Sequence, residues 1–236
     1  MSASNIHFED TDRIQEFTAA STAWTVPNGV SVVTVSGCGG GQGGSEKSTS
    51  GGNNIGMGGN GAPYGSYTVP VVPGESVTII VGAGGSPDSQ EPTSSSNGSQ
   101  SSFTPATTTS STLIFKGATG LAVDGSNDSV NYKFKDAGRA IPGCTMGGAV
   151  SFSIVELGFA GGSGIHYSGG AAGATSVPNG GGSGGGAGPF GNGGAGGAHS
   201  GNNGVSAGAN TGAGGGGSTG GNTAGSGGSG KIIVSW

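Results

Sequence analysis

The sequence predicts an all-β protein: a small β-sandwich of short strands with long glycine-rich inserts that form a polyglycine or polyproline-II helix bundle, and little or no α-helix. Three observations predict it. Short β-branched runs are separated by Pro-Gly and Asn-Gly turn signals. Glycine supplies 59 of the 236 residues and charged residues only 8%, against about 7% and about 25% in ordinary globular chains. Finally, not one Asp, Glu, Lys or Arg falls between Glu156 and Lys231. A solvated linker of that length carries charge, and structureless loops beyond about 12–15 residues are uncommon in compact domains, so the tract is expected to be ordered.

The elements follow in chain order. Residues 1–23 mix Glu9, Asp10, Asp12, Arg13 and Glu16 with Ile6, Phe8, Ile14 and Phe17. This reads as an attachment segment docking through those four apolar residues, or equally as a short helix capping the domain. From Trp24 the pattern turns β. "WTVPNGVSVVTVSG" places Val30, Val32 and Val35 in an extended run after a Pro-Asn-Gly turn, and "SYTVPVVPGESVTIIVGAGG" alternates Val77, Ile79 and Val81 onto one face. "STLIFKG", "VNYKFKD", "GAVSFSIVEL" and "GKIIVSW" are further strand candidates. Inserts at 39–61, 86–111 and 158–230 interrupt the strands. The expected division is a segment 1–23 and a glycine-rich β domain 24–236, with its framework at 24–157 and 231–236 and its bundle at 158–230.

Order in the long tract must come from the main chain. Glycine recurs every third residue at 182, 185, 188, 191, 194 and 197, then at 212, 215, 221, 227 and 230, with Ser218 and Ala224 in register. Three residues per turn is the polyproline-II period, and that helix leaves every N–H and C=O free. Buried, those groups need partners. Parallel passes packed on glycine supply them laterally and add Cα–H···O contacts. An 18-residue pass would extend about 55 Å at about 3.1 Å per residue. Collagen's strict Gly-X-Y phase and high proline content are absent.

Composition also excludes function classes. A net charge of −5 and a pI near 4.9, without a basic stripe, argue against nucleic-acid binding. No run approaches the 18 apolar residues of a membrane span, so no membrane insertion is expected. The opening "MSASNIHFEDTDRIQ" lacks the parts of a secretory signal, which favours two buried free thiols at Cys38 and Cys144 over a disulfide between them. "GSGGSGK" at 225–231 lacks the Ser/Thr and helix of a phosphate loop. "GGSGG", "GGSTG" and the Gly180, Gly182, Gly185 spacing lack the strand-turn-helix context of a nucleophile elbow or dinucleotide fingerprint. His7, His166 and His199 are scattered, and no Asp lies beyond Asp136. No catalytic, cofactor or metal site is expected.

Taken in order, "WTVPNGVSVVTVSGCGGGQGG", "PYGSYTVPVVPGESVTIIVGAGG", the glycine tract and "GGSGKIIVSW" resemble the glycine-rich domain at the ends of bacteriophage tail fibres and related virion proteins. The resemblance covers Trp24 to Trp236. It implies a receptor-binding adhesin with a polyglycine-II bundle, synthesised in the host cytoplasm and carried on the virion by a fibre or baseplate protein, as a homotrimer or a single copy on a trimeric fibre. The charged insert from Leu121 to Leu157 and the short leading segment depart from the family pattern. On this reading the turn residues Ile165, His166, Tyr167, Val177, Pro178, Asn179, Pro189, Phe190, His199, Asn202 and Asn203 contact a bacterial surface glycan or outer-membrane protein. Rigid rings supply contact area at low entropy cost and amides supply adaptable hydrogen bonds. The competing reading makes Ile165, Val177 and Phe190 pegs at the bundle's edge. The alternative function is a structural virion component, a fibre tip, collar or capsid decoration without a receptor. A cell-wall or ice-binding protein ranks third, since the turns offer no flat threonine face.

Overall fold

The computed structural model describes residues 13–47, 56–87, 97–106, 112–119, 166–171, 173, 182–198 and 201–236. Ten strands form among the described residues: β1 (Ile14–Phe17), β2 (Ser21–Thr25), β3 (Val32–Cys38), β4 (Glu46–Lys47), β5 (Gly65–Pro70), β6 (Ser76–Ile80), β7 (Ser101–Pro105), β8 (Leu113–Phe115), β9 (Ser218–Thr219) and β10 (Lys231–Ser235). No helix occurs among the described residues, as the sequence predicts. Two four-stranded antiparallel sheets, ordered β1-β10-β3-β5 and β2-β6-β7-β8, make the sandwich.

Alternation sets the core. Val33 and Val35 of β3, Val77 and Ile79 of β6, and Ile232 and Val234 of β10 point inward and are buried, because successive strand residues face opposite sides. Phe17, Trp24, Phe103 and Phe115 fill the space between the sheets. Trp24 lies 6.5 Å from Phe17, 6.3 Å from Phe103 and 5.3 Å from Trp236 between ring centroids. The predicted turns form as well. Gly29 and Gly74 take φ of +82° and +80°, and Glu75 ties the second turn by accepting the Val72 N–H at 2.6 Å.

Two expectations about the sandwich change. The sandwich begins at Ile14 rather than Trp24, because β1 pairs with β10 and Phe17 is buried in the core. Residues 14–17 are thus strand and not a capping helix, and Phe17 is consumed by its own domain rather than offered for docking. The expected insert at 86–111 contains β7, whose lone large apolar residue, Phe103, is fully buried. Its Ser and Thr neighbours hid it among linker-like composition. Val32 and Val35 of the expected extended run do lie in β3, where Val33 and Val35 point inward and Val32 is 51% exposed. The strands expected over "VNYKFKD" and "GAVSFSIVEL" lie outside the described residues.

Above the sandwich stands the glycine bundle, and its bonding shows the three-residue period directly. In the 212–218 pass, Gly214 and Gly217 donate to Gly186 and Ser183, Gly215 and Ser218 to Gln42 and Ser45, and Gly216 to Val205. Its carbonyls at 212 and 215 accept from Ala62 and Gly59, those at 214 and 217 from Gly194 and Gly197, and those at 213 and 216 from Gly228 and Gly225. One pass is therefore enclosed by six: 182–188, 56–62, 39–45, 223–230, 202–207 and 191–197. Consecutive members of that ring also bond to one another, for example Gly186 to Gly59, Gln42 to Asn60, Gly41 to Gly228, Ala207 to Ser226, Val205 to Ala195 and Gly182 to Gly197. The bundle thus draws on residues 39–45 and 56–62, in addition to the tract after 158.

The glycine row from 182 to 197 is not one long pass. It folds back at Pro189-Phe190, where the Gly188 N–H meets the Gly191 carbonyl at 3.0 Å, so each seven-residue leg spans about 20 Å. The energetics close without a side-chain core. Ordering costs roughly 1–2 kcal/mol per residue. One lateral hydrogen bond contributes about 1 kcal/mol net, and a Cα–H···O contact adds about 0.5–1 kcal/mol. A Cβ built on Gly216 would stand 1.9 Å from the Ala195 carbonyl oxygen; the Cα–H points at that oxygen, and only hydrogen fits.

Candidate functional site

The bundle has two ends. Cys38 of β3 leads into the 39–45 pass, and the 223–230 pass leads into β10, where Lys231 pairs with Cys38. The turns at 189–190 and 208–211 therefore face the sandwich, and the turn at 219–222, with Gly201 beside it, forms the free end.

This polarity divides the predicted contact residues. Phe190 is half-buried at the junction, against Cys38, Ala62 and Ala118. Its ring lies 6.0 Å from Tyr64 in a T-shaped contact, with the Lys231 Nζ 4.9 Å from its centroid, an arrangement worth about 0.5–1 kcal/mol. Pro189 shares that turn. Exposed His166 and Tyr167 precede Ser168, whose N–H donates to Asn192 Oδ1 at 2.9 Å, and they enter the bundle from the same end. Asn202 and Asn203 are exposed at the free end, one pass length away. Ile165, Val177, Pro178, Asn179 and His199 lie outside the described residues, as do Ile6 and Phe8. Ile14 is 61% exposed at the base of the sandwich.

The free end carries polar groups that sequence reasoning missed. Gly220 and Gly221 make the tip with φ of +69° and +82°. Asn222 Nδ2 donates to the Thr219 carbonyl at 2.6 Å, and Ser218 Oγ donates to the Asn222 carbonyl. β4 and β9 pair in parallel there, Glu46 with Ser218 and Lys47 with Thr219, and Glu46 is buried. The signal was "STGGNT": Gly-Gly flanked by Thr and Asn is turn chemistry. The surface so formed offers amides, hydroxyls and main-chain groups held by a fixed frame. Among the described residues no group of three or more His, Cys, Asp or Glu is placed to hold a metal ion.

Asn203 has a structural duty too. Its Oδ1 accepts the Thr223 N–H at 3.0 Å, and three residues on, Ser206 Oγ accepts the Ser226 N–H at 3.0 Å. At the bundle's outer wall a side-chain acceptor thus replaces a neighbouring pass.

A family model described as a glycine-rich domain matches residues 17–236. The chain belongs to this family. The match takes in the bundle and both sheets except Ile14–Glu16 of β1, so the glycine-rich domain comprises sandwich and bundle together. No curated protein matches the sequence.

Cys38, at the seam of the two parts, is a free, buried thiol. Burial pushes it up to about 12, against smaller lowering effects from the Lys231 main chain and charge. A thiol so protonated is a packing group rather than a nucleophile. Cys144 lies outside the described residues.

Proposed function

We propose that this glycine-rich domain is a non-enzymatic display module, an adhesin at the tip of a phage tail fibre or baseplate, that binds a bacterial surface glycan or outer-membrane protein through the free end of its bundle. The carrying observation is the enclosed 212–218 pass. A core made of main chain is indifferent to the side chains at its turns, so the tip sequence is free to vary while the frame stays rigid. Polarity supports the same reading. Arg13 and Trp236 sit side by side at the opposite pole, with the Trp236 N–H donating to the Arg13 carbonyl at 3.0 Å, so a carrier joined before Arg13 would hold the tip outward. The amides of Asn202 and Asn222 and the hydroxyl of Thr223 suit sugar hydroxyls or loop main chain.

The test is binding of the fluorescently labelled chain to host cells, together with competition against infection. Replacing Asn202 and Asn222 by alanine together is expected to weaken cell binding at least tenfold, while Phe190→Ala lowers stability and leaves affinity within about twofold. A chain that is incorporated into particles yet neither binds cells nor blocks infection would be a structural virion component, and the adhesin reading would be wrong.

A further inference from the structure

Asparagine is thermolabile, and most so before glycine. The glycine nitrogen, with no side chain beside it to shield the approach, can attack the Asn carboxamide carbon and close a five-membered ring. The sequence holds six Asn-Gly pairs, at Asn28, Asn60, Asn97, Asn179, Asn192 and Asn203, and all but the one at Asn179 fall among the described residues. The dipeptide alone does not rank them. Their surroundings do.

The pairs at Asn192 and Asn203 are clamped in the same way. Asn192 Oδ1 accepts the Ser168 N–H at 2.9 Å, while the Gly193 N–H donates to the Ser168 carbonyl at 3.1 Å. Asn203 Oδ1 accepts the Thr223 N–H at 3.0 Å, while the Gly204 N–H donates to the Thr223 carbonyl at 2.9 Å. In each, one residue of a neighbouring pass holds both the nitrogen that would attack and the carboxamide that would be attacked. The Gly98 N–H is likewise spent on the Ala118 carbonyl at 3.0 Å. Asn60 is buried, and its Nδ2 donates to the Thr119 carbonyl at 3.2 Å.

Asn28 stands apart. It is the second residue of the turn Pro27–Val30, closed by the Val30 N–H on the Pro27 carbonyl at 3.2 Å, with Gly29 at φ +82°, the type II pattern. Asn28 and Gly29 are both exposed, and a Cβ built on Gly29 would meet nothing within 4 Å. Neither the Gly29 N–H nor the Asn28 carboxamide has a hydrogen-bond partner among the described residues. A single bond closes this turn, so reorienting it opens little of the fold. β3 runs from the turn toward the bundle, which puts Asn28 at the pole opposite the free end.

We propose that Asn28 is a site of spontaneous deamidation, and that the lateral hydrogen bonds of the bundle protect Asn192 and Asn203 from the same reaction. Solvent hydroxide takes the Gly29 amide proton, and the nitrogen bonds to the Asn28 Cγ. The Cγ–Nδ2 bond then breaks, and water protonates the departing nitrogen so that it leaves as ammonia. A second water opens the succinimide at either carbonyl, giving aspartate or isoaspartate. In net terms one water enters and one ammonia leaves, with no oxidant or reductant. Either product adds a negative charge to the link between β2 and β3, and isoaspartate also adds a methylene to its main chain. The amide of Asn203 near the free end survives. None of this depends on the display reading.

The test incubates the full chain at pH 8, natively and in guanidinium chloride. Samples are digested with pepsin in acid, which halts the reaction, and mapped by tandem mass spectrometry, with isoaspartate counted by enzymatic methylation. In the native chain Asn28 is expected to convert at least about tenfold faster than Asn192 or Asn203, and in the denatured chain the three rates should fall within about threefold. Asn28→Ser, a change at an exposed position, should remove the fast component and leave the other two sites as they were. A native Asn28 no faster than the clamped pairs would overturn the proposal. So would a lead that survives denaturation, because local sequence and not the fold would then set the rate.

Discussion

The sandwich and the bundle bury comparable lengths of chain by opposite means. In the sandwich, side chains meet side chains: Phe103, Ile79 and Val234 are fully buried, and each can be exchanged for a residue of similar volume at modest cost. In the bundle, main chain meets main chain, and the 212–218 pass bonds to six neighbours while contributing Ala213 as its largest apolar group. The first tolerates change inside and the second outside. A protein that must keep a frame and vary its tip gains from building the tip on the second.

The largest break should come from the sandwich. Phe103→Ala removes the ring that Trp24 leans on and is expected to cost about 3–5 kcal/mol, measured by denaturant unfolding. Next is Gly216→Ala. Its methyl would stand 1.9 Å from the Ala195 carbonyl oxygen, 2.5 Å from that carbonyl carbon and 3.0 Å from the Gly194 oxygen, all main chain that cannot swing aside. A single methyl group should therefore cost about 3 kcal/mol, at the upper end of ordinary overpacking. Gly221→Ala at the free tip meets nothing within 4 Å and should cost only the left-handed backbone strain of about 1–2 kcal/mol. If the two alanines behave alike, the bundle is not packed on its main chain and the comparison fails. Smaller still is Ser206→Ala, which takes the acceptor from the Ser226 N–H. Because the site is exposed and water can replace the hydroxyl, the expected loss is about 0.5 kcal/mol, with faster hydrogen exchange at Ser226 as the sharper readout.

How much of this was legible depends on the range of the interaction that decides each element. β6 was legible because Val77, Ile79 and Val81 alternate locally, and the glycine row 182–197 because its period is local as well. That row's fold at Pro189-Phe190 was not, since a three-residue period continues unbroken through a turn. β1 and β7 were hidden for a different reason. Each has one large core residue, Phe17 or Phe103, and becomes a strand only by pairing with distant chain, β10 for the first and β6 and β8 for the second. The division of the turn residues between two ends was illegible in principle: Phe190 and Asn203 look alike as breaks in a glycine tract, and only the direction of each pass separates a junction peg from a tip.

The gentlest probe of the comparison changes no stability at all. Cys38 sits where β3 becomes the first bundle pass, its thiol covered by Phe190 and by Gly212, whose would-be Cβ falls 2.6 Å from the sulfur. With burial holding the thiol near 12, almost no thiolate exists at pH 8 and no reagent reaches it, so with Cys144→Ser in place the native chain should resist iodoacetamide for hours. Labelling then requires the seam to open. If its rate rises with denaturant in step with hydrogen exchange at Val33 and Val35, sandwich and bundle open as one unit. That is the expected outcome, since the 39–45 and 223–230 passes run straight into β3 and β10 and cannot dissolve without loosening the Lys231–Cys38 pair. Labelling that outruns exchange at the valines would mean that the glycine passes open on their own, and the bundle would then be a tenant of the sandwich rather than its structural equal.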